Sequence, residues 1–158
     1  MSTIRIVWGT GTGPTELASY DAALADANVH EYNLVTVSSV IPAAATLEVA
    51  GTAPDLGPIG NRLTAVQSRA TTSEPGSVSA ALGWARSESG EGIVYEAAGE
   101  TDPDAVRERV SVGLDAGCEL RSWSPSLRDV RVVQIDAEPG TYATAVVLAV
   151  YGESVPIW

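Results

Sequence analysis

Apolar residues along this chain recur at two spacings, and the switches between them mark the elements. Thr3 to Trp8 is an apolar run of strand length, broken by Gly9-Thr10-Gly11-Thr12-Gly13-Pro14. From Glu16 to Ala27 the spacing is helical. Leu17, Leu24 and several alanines fall on one side, and Thr15 stands where an N-cap belongs. Tyr32 to Ser38 reads as the next strand. Pro42 to Asn61 is rich in Pro, Gly and Ala, which predicts a turn, a short strand and a loop. Leu63 to Thr71 and Ser77 to Arg86 are strands divided by the turn Ser73-Glu74-Pro75-Gly76. Ile93 to Glu96 is another strand. Asp102-Pro103 opens the clearest helix, with Val106, Val110, Gly113 and Leu114 at helical spacing, and Gly117 is expected to end it. Cys118 to Trp123, Asp129 to Ala137 and Thr141 to Tyr151 read as closing strands, the last two joined by Glu138-Pro139-Gly140. Seven to eight strands and two long helices suit an α+β sandwich, with antiparallel sheet inside and helices on its outer faces.

Composition narrows the class. The chain has 158 residues, of which 45% are hydrophobic and none is phenylalanine, so one aliphatic core in one domain over 1–158 is expected. No apolar run approaches the ~20 residues needed to cross a bilayer. Met1-Ser2-Thr3-Ile4-Arg5 does not read as a signal peptide, which makes the cytoplasm the expected location. Nine basic residues, all arginine, oppose twenty acidic ones, for a net charge of -11. Such a surface repels nucleic acid and anionic membranes. It suits a cationic ligand or a high-salt cytoplasm, and the even spread of acidic positions favours the salt reading.

Several residues invite a chemical role, each beside a plainer one. The Gly9 to Gly13 run follows a strand and precedes a helix, as phosphate loops do, but it lacks Gly-Lys-Ser/Thr and the dinucleotide spacing. A flexible connection is the expectation there. His30 beside Glu31 reads as a solvated turn histidine, and Arg107-Glu108-Arg109 as an exposed helix face. Cys118, the only cysteine, is expected to be small and buried. Asp21 lies inside the first helix near Leu17 and Leu24. It is either a boundary residue with a solvated tip or a carboxylate facing a cationic ligand. Alternation puts Glu96 on the face of Val94; inward, burial would raise its pKa toward that of a general acid, and outward it is a strand-end glutamate. Ser38 and Ser39 end a strand where core packing asks for neither.

The segment Asn33-Leu34-Val35-Thr36-Val37-Ser38-Ser39-Val40-Ile41-Pro42 resembles the processing site of pyruvoyl-dependent arginine decarboxylases. The likeness extends through Tyr20 to Leu24, Glu74 to Ala81, Gly92 to Glu96 and Arg121-Ser122-Trp123, nearly the whole chain. The resemblance implies an αββα sandwich that cuts itself between Ser38 and Ser39. This gives chains 1–38 and 39–158 and turns Ser39 into a covalent pyruvoyl group, with no metal and no pyridoxal phosphate. That ketone would form a Schiff base with L-arginine and release CO2 and agmatine. Glu96 matches the family's proton donor, Asp21 the aspartate that pairs with the substrate guanidinium, and Asn33 an active-site asparagine. Six strand residues separate Asn33 from Ser39, about 20 Å at ~3.3 Å each, so one straight strand cannot bring both to one site. The family forms trimers with sites between subunits, and that spacing agrees. Two departures stand out. His30-Glu31-Tyr32 replaces a smaller, glycine-containing turn and is expected to line the substrate pocket. A Tyr-Gly pair is missing near Val66-Gln67-Ser68. They leave two alternatives open: a decarboxylase of another amino acid, or an unprocessed binding or regulatory relative.

Overall fold

The structure is a computed structural model and describes residues 3–158; Met1 and Ser2 lie outside the described residues. Nine strands and two helices follow in the order β1 (Thr3–Gly13), α1 (Glu16–Asp26), β2 (Asn33–Thr36), β3 (Val40–Ile41), β4 (Thr46–Gly51), β5 (Arg62–Thr72), β6 (Gly76–Arg86), β7 (Gly92–Gly99), α2 (Pro103–Leu120), β8 (Leu127–Ala137) and β9 (Tyr142–Tyr151). They form a five-stranded sheet ordered β2-β5-β9-β1-β4 and a four-stranded sheet ordered β3-β7-β6-β8. Ile4, Ile6, Val66, Val78, Leu82, Val94 and Val147 fill the layer between the sheets. α1 lays Ala23, Leu24 and Ala27 on the outer face of the larger sheet, against Leu63, Ala65, Val146 and Leu148. α2 lays Val106, Val110, Leu114 and Cys118 on the outer face of the smaller one, against Ala81, Ala85 and Ile93. The architecture is therefore the expected α+β, αββα arrangement.

Local chemistry explains the elements. The Thr15 side chain accepts from the Ala18 amide at 3.0 Å, and Asp102 accepts from Ala105 at 2.9 Å, so each helix starts on a satisfied N-cap. β9 lies in the middle of its sheet with helix on one side and sheet on the other. Ala143 to Val150 are accordingly all buried, and the strand is apolar on both faces apart from Thr144, whose hydroxyl is paired with those of Ser19 and Thr71.

The structure corrects four expectations. Gly9 to Gly13 does not break the first strand; β1 continues to Gly13, paired with β9 throughout. A Cβ on Gly9 would stand 2.2 Å from the Ala23 carbonyl oxygen, and one on Gly11 2.4 Å from the Ala23 nitrogen. The alternate glycines thus make a bare track on which α1 rests backbone to backbone. Gly117 does not end α2, which runs on to Leu120; its missing side chain makes room for Ile93 and Tyr95. Cys118 consequently sits in the last turn of a helix, not at a strand start, though it is buried as expected. Finally, the larger sheet is mixed: β1 pairs with β4, and β2 with β5, in parallel. Both parallel partners are edge strands reached by long connections, which adjacent-strand reasoning does not anticipate.

Candidate active site at the sheet crossover

Ser38 and Ser39 lie where the chain passes from one sheet to the other. β2, just upstream, pairs with β5 of the larger sheet; β3, just downstream, pairs with β7 of the smaller one. The expected strand to Ser38 therefore stops at Thr36. Ladder pairing cannot continue through the step, and the turn is made at Ser39, whose φ is +44°. That left-handed value is uncommon for a residue with a side chain and carries strain. Its geometric effect is specific. Rotation to positive φ places the carbonyl carbon of Ser38 between the carbonyl carbon and Cβ of Ser39. The Ser39 Cβ, which carries the hydroxyl, is thereby brought to the side of the Ser38 carbonyl carbon, as closing a five-membered ring between them requires. In an extended strand the two groups would point apart.

Hydrogen bonds hold the crossover from the downstream side. The Val94 amide donates to the Ser39 carbonyl at 2.8 Å, and the Tyr151 hydroxyl donates to the Val40 carbonyl at 3.0 Å. Val40 and Ile41 pair with Ile93 and Gly92. The Arg86 guanidinium reaches the carbonyls of Pro42 and Ala43 at 3.4 and 3.3 Å. Beside the serines is an open cleft of about 320 Å³ lined by Val37, Ser38, Val40, Thr64 and Tyr151.

Glu96 lies along β7, two residues beyond Val94, or roughly 7 Å at the rise of a strand. It shares the face of Val94, toward the layer between the sheets, as alternation suggested. The chain turns away at Ser38, so among the described residues no strand pairs with the β7 edge beyond Val94 on that side. Glu96 is therefore exposed at its tip while protein backs its base. Loss of hydration raises its carboxyl above the usual carboxylate range, against a smaller opposing effect from its own backbone N–H. A carboxyl whose proton is held more tightly than usual, on the strand that also binds the Ser39 carbonyl, is suited to the role of a proton donor.

The other two candidates stand apart within one chain. Asp21 is exposed on α1, on a shelf of about 530 Å³ with Thr15, Leu17, Ala18, Tyr20 and Leu24. That shelf shares no lining residue with the serine cleft. Asn33 starts β2 and spends its side-chain amide on the Gly60 carbonyl at 2.8 Å, tying down the loop before β5. His30-Glu31-Tyr32 does not line the serine cleft. Tyr32 accepts from the Leu56 amide and donates to the Gly57 carbonyl, and His30 Nε2 stands 3.1 Å from Glu31. Among the described residues no cluster of His, Cys, Asp and Glu could hold a metal ion. Among the described residues no helix is long and apolar enough to cross a membrane.

Tyr151, Arg86 and Thr64 were not singled out by sequence. Only Tyr151 carried a signal, as the aromatic that closes the aliphatic run Ala145 to Val150 just before Gly152.

The chain matches the family model for pyruvoyl-dependent arginine decarboxylases over residues 3–156. It is 54% identical over 158 residues to the pyruvoyl-dependent arginine decarboxylase of Halobacterium salinarum, covering 100% of this chain and 99% of that one. Proteins of the same description from Pyrococcus abyssi and Methanopyrus kandleri are each 35% identical, over 145 and 148 residues. These alignments take in 88% and 92% of this chain and 89% and 93% of theirs.

Proposed function

The chain belongs to the pyruvoyl-dependent arginine decarboxylases, and from that premise we propose how its own residues make the cofactor and use it. The reaction is decarboxylation of L-arginine to agmatine and CO2 with a covalent pyruvoyl group. The observation that carries the assignment of residues is the left-handed Ser39 at the crossover between the sheets.

The Ser39 hydroxyl attacks the Ser38 carbonyl carbon. The new C–O bond replaces the C–N bond, and the hydroxyl proton passes to the freed amine. Loss of the Ser39 α-proton and of the ester oxygen then leaves a carboxylate on Ser38 and dehydroalanine at position 39. Water displaces its nitrogen as ammonia and leaves the ketone. One chain is then 1–38 and the other 39–158, within a single domain. The left-handed turn favours the first step by setting the Ser39 side-chain carbon gauche to the Ser38 carbonyl carbon, nearer the geometry of the attack than an extended strand allows.

When formed, the pyruvoyl group supplies the electron sink for loss of CO2. Glu96 holds the proton that is returned to the substrate α-carbon, and its raised pKa keeps that proton available. Asp21 receives the guanidinium, a bidentate contact that suits arginine better than lysine. Asn33 orients polar groups at the start of the strand leading to the cut. Because Asp21 and Ser38 line separate clefts of one chain, the site is completed by a neighbouring copy in a trimer. The exposure of Val35, Val37 and Val40 around the crossover, 44%, 36% and 53%, supports that reading. A cytoplasmic setting of high salt belongs to the same proposal, supported by the acidic, lysine-free composition.

Denaturing mass spectrometry tests the cut. Fragments 1–38 and 39–158 are expected, the second blocked to Edman degradation and reactive with hydrazines. A single intact chain that still releases CO2 from arginine would refute the role of Ser39. Release of CO2 from a panel of amino acids checks selectivity, and a monodisperse active monomer would refute the shared site.

A further inference from the structure

We propose that Tyr151 is a positioning residue for self-cleavage, its hydroxyl holding the Val40 carbonyl so that Ser39 stays in its left-handed turn. This rests on the assignment of Ser39 above and extends it to a residue on the opposite sheet. Tyr151 is the last residue of β9, in the five-stranded sheet, and Val40 opens β3 in the four-stranded one. The bond between them, 3.0 Å long, joins groups 111 residues apart and spans the layer at the point where the chain crosses it. Among the described residues no other side chain donates a hydrogen bond to the backbone between Val37 and Ile41.

The mechanics follow from the two carbonyls that are held. The Val94 amide fixes the Ser39 carbonyl, and the Tyr151 hydroxyl fixes the next one along. Two consecutive peptide planes are thereby set, so the strain at Ser39 cannot relax by rotation on the downstream side. Without the hydroxyl, β3 is held to β7 at only two residue pairs, and the Val40 carbonyl loses its side-chain partner across the layer. Tyr151 is suited to a fixed donor. Its ring is packed against the inter-sheet core beside the serine cleft. Burial also pushes its pKa up to about 12, so the proton stays on the oxygen across the working pH range.

The test is Tyr151→Phe, which keeps the ring and removes the donor. Freshly expressed chains are followed by intact mass beside the unaltered protein, whose own cleavage checks the reading on which the inference rests. The variant is expected to cleave at least tenfold more slowly at unchanged far-ultraviolet circular dichroism. A second measurement needs no cleavage. In a Ser39→Ala background, Tyr151→Phe should speed hydrogen exchange at the Val94 amide at least tenfold while β9 amides keep their protection. A merely structural tyrosine would loosen β9 as well. Wild-type cleavage by the phenylalanine variant, or unchanged exchange at Val94, would overturn the inference. So would failure of the variant to fold, because the hydroxyl would then be supporting the sheet and not the turn.

Discussion

The two sides of the Ser38–Ser39 bond are held very differently. Downstream, Ser39 to Ala43 are pinned by the Val94 amide, the Tyr151 hydroxyl, the β3–β7 pairing and the Arg86 guanidinium, with Ile41 completely buried. Upstream, past the end of β2, the Val37 amide reaches the Ala65 carbonyl at 3.3 Å, and both Val37 and Ser38 are exposed. The strained torsion lies on the pinned side, and the carbonyl proposed to be attacked lies on the loose side. A nucleophile benefits from being fixed, whereas a carbonyl that must become tetrahedral and then leave benefits from slack. The side that keeps the cofactor is also the side already built into the sheet.

This asymmetry can be broken most severely at the serines. Ser39→Ala is expected to abolish cleavage and with it decarboxylation, whereas Ser38→Ala still yields both fragments, since position 38 lends only its backbone carbonyl. Intact mass distinguishes the two, and equal effects would erase the contrast. Next in size is Glu96→Gln. It should cleave yet lose about 100- to 10,000-fold in kcat with KM little changed, because a proton donor acts in the chemical step more than in binding. Smaller effects concern the anchors, read by urea unfolding in a Ser39→Ala background. Arg86→Ala should cost about 2 kcal/mol, losing charged hydrogen bonds to Gly90, Pro42 and Ala43. Val37→Ala on the loose side should cost less than ~1 kcal/mol. The smallest effect is pH dependence. The raised folded pKa of Glu96 means the native state binds more protons than the unfolded chain above the ordinary carboxylate range. Its contribution to stability therefore falls as pH rises through that raised value, and Glu96→Gln should remove that slope. With the tip exposed, the change should stay below ~1 kcal/mol.

Much of the fold was legible because its signals are local. Thr15 and Asp102 announce the helix starts, and Ser73 to Gly76 and Glu138 to Gly140 announce the hairpins. What escaped depends on partners distant in sequence. Gly9, Gly11 and Gly117 look like breakers until the backbone or side chain lying against each is known. The parallel edges β2 and β4 carry no mark of direction. At the site, the face of Glu96 could be read from alternation. The crossover at Ser38–Ser39 could not, since a change of sheet leaves no residue pattern. Tyr151 was hidden for the same reason: its partner, Val40, lies 111 positions away.

The place of β1 in the larger sheet bears on what the proposed self-cleavage would do to the folded state. β1 is an inner strand, between β9 and β4, and it lies with α1 and β2 in the segment 1–38. Once the Ser38–Ser39 bond is cut, that segment stays woven into a sheet whose other strands belong to the second chain. Refolding, a one-body event for the precursor, becomes a two-body encounter, and its midpoint comes to depend on protein concentration. The uncut chain thus acts as its own assembly template for a single use. On the proposed cut, the two-chain protein would persist by its unfolding barrier and not by ready return from the unfolded state.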